Sequence, residues 1–249
     1  MVWTMSRKCF ESLTGLVVVL LITGGCQSSE PAVAHTDGKA LAAVQTKDSQ
    51  AAMTPQQALQ ALRDGNARFV AGTPRAQDFP AEVKATASGQ YPFAVVLSCV
   101  DSRLPIEVVC DQCLGDVFSA RVAGNVLNDD VLGSMEFACK LSGAKLIAVI
   151  GHSNCGAVKG AIDNVQLGNL TGLLGKIKPA VEAVPVDGEP RTSKNHALVD
   201  HACEANVHLV MQAIRERSPV LREMLDKGTI ALVGGMYELD TGKVEFFEK

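Results

Sequence analysis

The sequence predicts an α/β fold: a central, mostly parallel β-sheet flanked by α-helices, with a helical arm before it. Three observations carry this reading. Strand-like runs with β-branched members recur at 93–97, 117–122 and 145–150, the first of them an unbroken apolar run that suits a strand buried on both faces. Helical periodicity fills 126–142 between the second and third runs and most of the chain after the third, which supplies the crossovers that parallel strands need. Late in the chain, Asp240-Thr241-Gly242 separates an apolar run at 229–237 from another at 244–247, a hairpin signal that adds an antiparallel edge.

The elements follow in order. Arg7 and Lys8 precede an unbroken apolar run at 16–22 that closes on Thr23-Gly24-Gly25-Cys26, the layout of an exported protein's signal peptide over 1–25. The run falls well short of the about 20 apolar residues that span a bilayer. Cys26 resembles the modified cysteine of bacterial lipoprotein signals, although Thr23 stands where that pattern usually has leucine. The expectation is lipidation at Cys26 and a periplasmic protein anchored to a bacterial membrane; ordinary cleavage and a retained anchor are the alternatives. Residues 26–53 are rich in Ser, Ala, Gln and Asp with no sustained apolar period, and read as a flexible tether in which His35 is solvated. One domain is expected over 54–249.

Thr54-Pro55-Gln56-Gln57 opens a helix, with a Thr cap, Pro at the first position and Gln completing a capping box. Pro74 and Pro80 mark 73–89 as a loop with at most a turn of helix. The first strand then runs into Cys99. After the second strand, Gly124-Asn125 turns the chain into a helix that starts near Asn128 or Asp129, buries Val131, Met135, Ala138 and Leu141, and stops at Gly143. The third strand leads to His152, and a helix begins around Cys155-Gly156. Further helices are expected at 170–184, 195–217 and 220–227. The net charge is −4 with no basic stripe, which argues against nucleic acid as a partner.

Two stretches carry chemistry: Cys99-Val100-Asp101-Ser102-Arg103 after the first strand, and His152-Ser153-Asn154-Cys155-Gly156 after the third. In parallel sheets the carboxyl edge is where ligands bind. Two thiolates and an imidazole suit a zinc ion with one position left open. His-x-x-Cys alone arises often by chance; its pairing with Cys-x-Asp-x-Arg makes the signal strong. Such a centre is formally neutral and needs help from its surroundings to acidify water. Asp101 is placed to accept a hydrogen bond from zinc-bound water, and Arg103 to orient Asp101 and keep it ionised.

These stretches, together with Gly89-Gln90-Tyr91-Pro92, Gly115-Asp116-Val117-Phe118 and Arg121-Val122-Ala123-Gly124-Asn125, resemble the β-class carbonic anhydrases over the chain from about residue 54 to its end. The resemblance implies one zinc per subunit, hydration of carbon dioxide to bicarbonate and a proton by zinc-bound hydroxide, and a homodimer or higher even oligomer with active sites near the interface. It makes Cys99, His152 and Cys155 the ligands and Asp101 with Arg103 the catalytic dyad. Gln90 resembles a residue reaching into the partner's substrate channel, and Phe118 and Ala123 resemble positions lining the carbon dioxide pocket; Gly156 lets the backbone approach what the metal holds. Members with a closed state, in which the carboxylate binds zinc, usually carry tryptophan where this chain has Val96, so the open form is expected. A carbonyl sulfide or carbon disulfide hydrolase and a non-catalytic zinc or anion-binding module are the rival functions.

The remaining cysteines and histidines divide differently. Cys110-Asp111-Gln112-Cys113 allows packed thiols, a disulfide, or a redox or second metal site. Cys139 and Cys203 read as buried small hydrophobes on helix faces. His196, His201 and His208 fall in one helix and read as surface or packing residues.

Overall fold

The computed structural model describes residues 41–248, other than 187 and 189. The signal segment, Cys9, Cys26, His35 and the first part of the tether lie outside the described residues. Five strands, β1 (Ala94–Ser98), β2 (Val117–Arg121), β3 (Leu146–His152), β4 (Ala231–Tyr237) and β5 (Val244–Glu248), form one sheet in the order β2-β1-β3-β4-β5. All neighbours are parallel except β4 and β5. Helices α1 (Lys47–Ala52), α2 (Pro55–Val70) and α3 (Phe79–Thr86) precede the sheet. α4 (Ile106–Val109) joins β1 to β2, and α5 (Asp129–Glu136), prolonged by a π-helical turn at Phe137–Leu141, joins β2 to β3. α6 (Gly156–Ile162), α7 (Gly168–Gly175), α8 (Lys178–Ala183), α9 (His196–Arg217) and α10 (Pro219–Asp226) form the crossover from β3 to β4. Among the described residues no helix is long and apolar enough to cross a membrane.

Every residue of β1 and β3 is buried, because the period of two sends alternate side chains into different layers. Val95, Leu97, Ile147 and Val149 pack with Met135, Val210 and Ile214 on one face. Ala94, Val96, Leu146 and Ala148 pack with Leu59, Leu62 and Ile106 on the other. A third cluster, built on Cys99, Cys155, Val158, Ile177, Val199 and Cys203, lies beneath the loops at the carboxyl edge.

Several expectations need correction. The tether reading runs to Met53, yet Thr46 caps α1 in a reciprocal box with Ser49. Gln50 of α1 is buried and donates through Nε2 to the carbonyls of Pro92 (2.6 Å) and Ser142 (2.8 Å). A polar anchor leaves no apolar period to detect. The loop at 73–89 contains the eight-residue α3: Asp78 accepts from the Ala81 N–H, and Pro80 lies in the first turn, where a missing N–H costs nothing. The segment at 170–184 breaks between α7 and α8, with Pro179 in the first turn of α8. Leu141 is 76% exposed, because the wider π turn carries it out of phase with the buried face of α5.

Asn66 of α2 ties three elements together. Its Nδ2 donates to the Val109 carbonyl (3.1 Å) and the Gly242 carbonyl (2.9 Å), and its Oδ1 accepts from the Val244 N–H (2.7 Å). Asn66→Ala leaves these buried groups unpaired, and at about 1–3 kcal/mol for an orphaned buried group the expected loss is about 3 kcal/mol. Urea denaturation checks this, and a midpoint equal to wild type contradicts it.

Candidate metal centre

The sheet order sets the site. β1 and β3 are adjacent, while the chain leaves β1 towards β2 on one side and leaves β3 towards β4 on the other. That divergence is a topological switch point, where open α/β sheets leave a crevice at the carboxyl edge. Ser98 pairs with Ile150, so Cys99 emerges level with Gly151, one residue before His152. A Cβ at Gly151 would stand 2.8 Å from both Met236 Sδ and Val207 Cγ2; glycine lets the end of β3 pass beneath α9. His152 is the last residue of β3, and Cys155 is the N-cap residue immediately before α6.

The loop between them is fixed at each residue. Ser153 donates its N–H to the Tyr237 carbonyl (3.0 Å) and accepts the Leu239 N–H at Oγ (3.1 Å). Asn154 takes a left-handed φ of 59° and donates its N–H to Asp200 Oδ1 (2.9 Å). The ligand atoms of Cys99, His152 and Cys155 consequently lie within 4.8 Å of one another, all three residues buried.

The donor set fits a metal ion. His152 Nδ1 stands 2.9 Å from the Ser153 carbonyl, which makes it the N–H donor and leaves the Nε2 lone pair free. That Nε2 is buried without a hydrogen-bond partner, a costly arrangement unless a cation takes the lone pair. Cys99 Sγ accepts the Gly124 N–H at 3.3 Å. The thiols hold their protons tightly. The neighbouring Cys155 thiol and burial push Cys99 up to about 12, and the Cys203 thiol and burial push Cys155 up to about 11 against the lowering effect of Cys99. Burial pulls His152 down, but Cys99, the Ser153 carbonyl and Asp101 outweigh it and leave its pKa raised. Two sulfurs and one imidazole nitrogen match zinc, with a fourth position for a non-protein ligand.

Asp101 stands over this set. Its Oδ1 accepts from the Arg103 backbone N–H (3.0 Å) and Nε (2.9 Å), and its Oδ2 from Arg103 Nη2 (2.8 Å). Oδ2 is also 3.9 Å from His152 Nε2. The Arg103 guanidinium holds the Asp101 carboxyl well below the usual carboxylate range, against the opposing effect of burial. Arg121 braces the same turn, donating to the backbone carbonyls of Cys99 (3.1 Å) and Asp101.

A family model described as carbonic anhydrase matches residues 94–244. The chain belongs to the β-class carbonic anhydrases. It is 38% identical over 190 residues to carbonic anhydrase 2 of Mycobacterium tuberculosis, covering 76% of this chain and 91% of that one. Among solved structures it resembles the β-carbonic anhydrase CafA of Aspergillus fumigatus, at 25% identity and a TM-score of 0.58 over 77% of this chain and 89% of that one. It also resembles the tetrameric β-carbonic anhydrases of Sordaria macrospora, at 22% identity and a TM-score of 0.59 over 68% and 86%. β-Class carbonic anhydrases are zinc enzymes, and zinc is the cofactor that the Cys-His-Cys group suits.

Against this family assignment the other candidate residues separate. Ala123 immediately precedes Gly124 beside Cys99, and Gly156 opens α6 with free space where a Cβ would stand. Gln90 lies before β1, at the opposite edge of the sheet from Cys99. Phe118 pairs with Val95, three residues back from the carboxyl edge, and stacks edge-on against Phe137 at 6.1 Å. Neither is brought to the ligands of its own chain.

Cys110 and Cys113 are free and buried, and desolvation pushes each up to about 12, so neither has the exposed, acidic thiol of a redox centre. They flank Asp111, which pairs with Arg68 and Arg75. His208 packs on Phe247 with ring centroids 4.7 Å apart. Among the described residues, the only metal-holding group is the Cys-His-Cys set. Cys139 is buried as expected; Cys203 is buried too, but in the cluster that holds Cys99 and Cys155. Sequence reading missed that placement and Asp200 and Asn206, because their only signal is a spacing of three residues along a helix.

Both thiols are protonated near neutrality and must ionise to bind a metal, so zinc affinity weakens as pH falls. The two thiols alone make log Kd rise by about two for each pH unit lost between about pH 8 and 6, and protonation of His152, whose pKa is raised, steepens the slope towards the acid end. Chelator competition at several pH values measures the slope, and a flat profile excludes the two thiols as ligands.

Proposed function

We propose that the chain catalyses the reversible hydration of carbon dioxide to bicarbonate and a proton, with Cys99, His152 and Cys155 holding one zinc ion. The observation that carries the reading is the carboxylate of Asp101, clamped at both oxygens by Arg103 and poised 3.9 Å from the free nitrogen of His152. When bound, zinc supplies Lewis acidity that lowers the pKa of a water from about 15.7 to about 7, a magnitude established on carbonic anhydrase itself.

The protein's share is orientation. Asp101 Oδ2 accepts the O–H of the attacking water and turns its lone pair towards the substrate carbon. Arg103 performs two services: it orients Asp101, and it engages the oxygens that would otherwise compete for the fourth ligand position. That engagement supports the open form expected from Val96. Arg121 holds the backbone on which Asp101 is mounted.

The placement of Gln90 and Phe118 supports assembly. A five-residue strand rises about 3.3 Å per residue, roughly 16 Å in all, so a substrate-channel role for Gln90 would require the site of another subunit. The exposed ring of Phe137, with Phe118 and Val95, forms the apolar side of a cleft of about 720 Å³ that Asp129, Asp130, Ser119 and Ser134 also line, a mixed surface that a second subunit could cover. A homodimer or higher even oligomer is therefore proposed. Export with lipid attachment at Cys26 is proposed on the basic, apolar and small-residue pattern of 1–26.

Asp101→Ala is expected to retain stoichiometric zinc and lose about 10²-fold or more in kcat. In Arg103→Gln, Asp101 stays ionised near neutrality but loses the paired bonds that orient it, and activity falls through lost positioning. Stopped-flow hydration alongside metal analysis tests both, and full activity of the Asp101 variant removes the dyad. Carbonyl sulfide offered in parallel identifies a hydrolase if it is the better substrate, and sedimentation of the holoprotein gives the assembly.

A further inference from the structure

Asp200, Cys203 and Asn206 stand three residues apart on α9, a spacing that places them along one helical face, and each meets a different part of the metal centre. Asp200 Oδ1 accepts the N–H of Asn154, between two of the ligands (2.9 Å). Cys203 is packed with the ligands Cys99 and Cys155 in the buried cluster beneath the carboxyl edge. Asn206 Nδ2 donates to the Gly124 carbonyl (2.8 Å), and Gly124 gives its own N–H to Cys99 Sγ (3.3 Å).

We infer that this stripe of α9 positions the metal ligands, with Asn206 acting on Cys99 through Gly124, Cys203 acting directly on Cys155, and Asp200 fixing the turn that joins His152 to Cys155. The inference rests on the proposed zinc centre.

Two of the three contacts fall where the backbone is left-handed, Gly124 at φ 64° and Asn154 at φ 59°. Glycine has the widest backbone freedom of any residue, so the direction of the Gly124 N–H needs an external restraint. Its carbonyl is held by the Asn206 amide. A Cβ at position 124 would lie 2.5 Å from Ile177 Cδ1, so a stiffer residue is not available there.

Simple core packing does not account for Asn206. Its neighbours Val199, Ala202, Val207 and Val210 are buried and apolar, and Asn206 is 1% exposed with an unpartnered Oδ1. An apolar residue of similar size would fill the space without an orphaned oxygen, which costs about 1–3 kcal/mol. What the amide provides is the bond to Gly124.

Cys203 follows similar logic. Cys155 bound to a metal is a thiolate with no proton to give, so the S–H of Cys203 becomes the donor of the pair. A hydrogen bond to a ligand sulfur withdraws charge from it and fixes its direction, as outer partners do at metal sites generally.

The test measures zinc dissociation by chelator competition and the thiolate-to-metal absorption band of the cobalt(II)-substituted protein, for wild type, Asp200→Ala, Cys203→Ala, Cys203→Ser and Asn206→Leu. Loss of an outer partner is expected to weaken zinc about 10–100-fold and to shift the cobalt band in Cys203→Ala and Asn206→Leu, with Cys203→Ser close to wild type because it keeps a donor. Asp200 is exposed, so Asp200→Ala keeps the test available if Asn206→Leu does not fold. Wild-type affinity and an unchanged band in the folded variants overturn the inference while leaving the zinc centre intact. A wild-type protein that binds no stoichiometric zinc and gives no cobalt band overturns the zinc reading, and this inference with it.

Discussion

The parallel pairing of β1 with β3 is the constraint on which the rest depends. Each strand is buried on both faces, so a slip of one residue would drive its whole side-chain pattern into the wrong layer. The register is therefore held by the entire core, and it is that register which delivers Cys99 and His152 to the same edge of the sheet. The two strands run side by side because the crossovers leave in opposite directions. The crevice and the donor set thus have one origin. Cys155 needs only the short loop closed by Ser153 and Asn154 to join them.

Around this frame the polar groups are arranged in layers. The ligands face inward, with the lone pair of His152 Nε2 freed by the bond at Nδ1. Arg103 and Arg121 organise the Asp101 turn from the solvent side, and α9 meets the ligand loops from the protein side. The charged clamp is exposed, where its strength comes from paired geometry more than from low dielectric. The contacts from α9 are mostly buried and neutral. A carboxylate that must meet substrate and solvent is held by charge, while sulfurs that must stay fixed are held by packing and single hydrogen bonds.

Much of this was legible in the sequence, and the reasons are specific. Unbroken apolar runs located the buried strands, and Cys99, Asp101, Arg103, His152 and Cys155 announced themselves because metal ligation and carboxylate clamping demand particular residue types at short spacing. What escaped were groups acting through hydrogen bonds to backbone. Gln50 and Asn66 join elements far apart in the chain, and Asn206 reaches Gly124 across 82 positions; no local pattern marks such a partner. Pro80 was misleading because the residue that breaks a helix interior also starts one. Leu141 failed because a π turn alters the period on which burial was reckoned. The Cys110-Cys113 pair shows the converse, a conspicuous spacing whose thiols are simply buried around a carboxylate holding two arginines.

The order in which α9 enters the chain has a consequence for biogenesis. Residues 99 to 155 contain every proposed ligand, yet the helix that braces them begins only at His196, and the strand that accepts Ser153 follows later still, at Ala231–Tyr237. A growing polypeptide that has exposed all three donors still lacks the scaffold that aims them. Tight metal capture is accordingly a late event, coupled to completion of the fold, and a truncated or stalled chain would present reactive thiols in place of a finished centre.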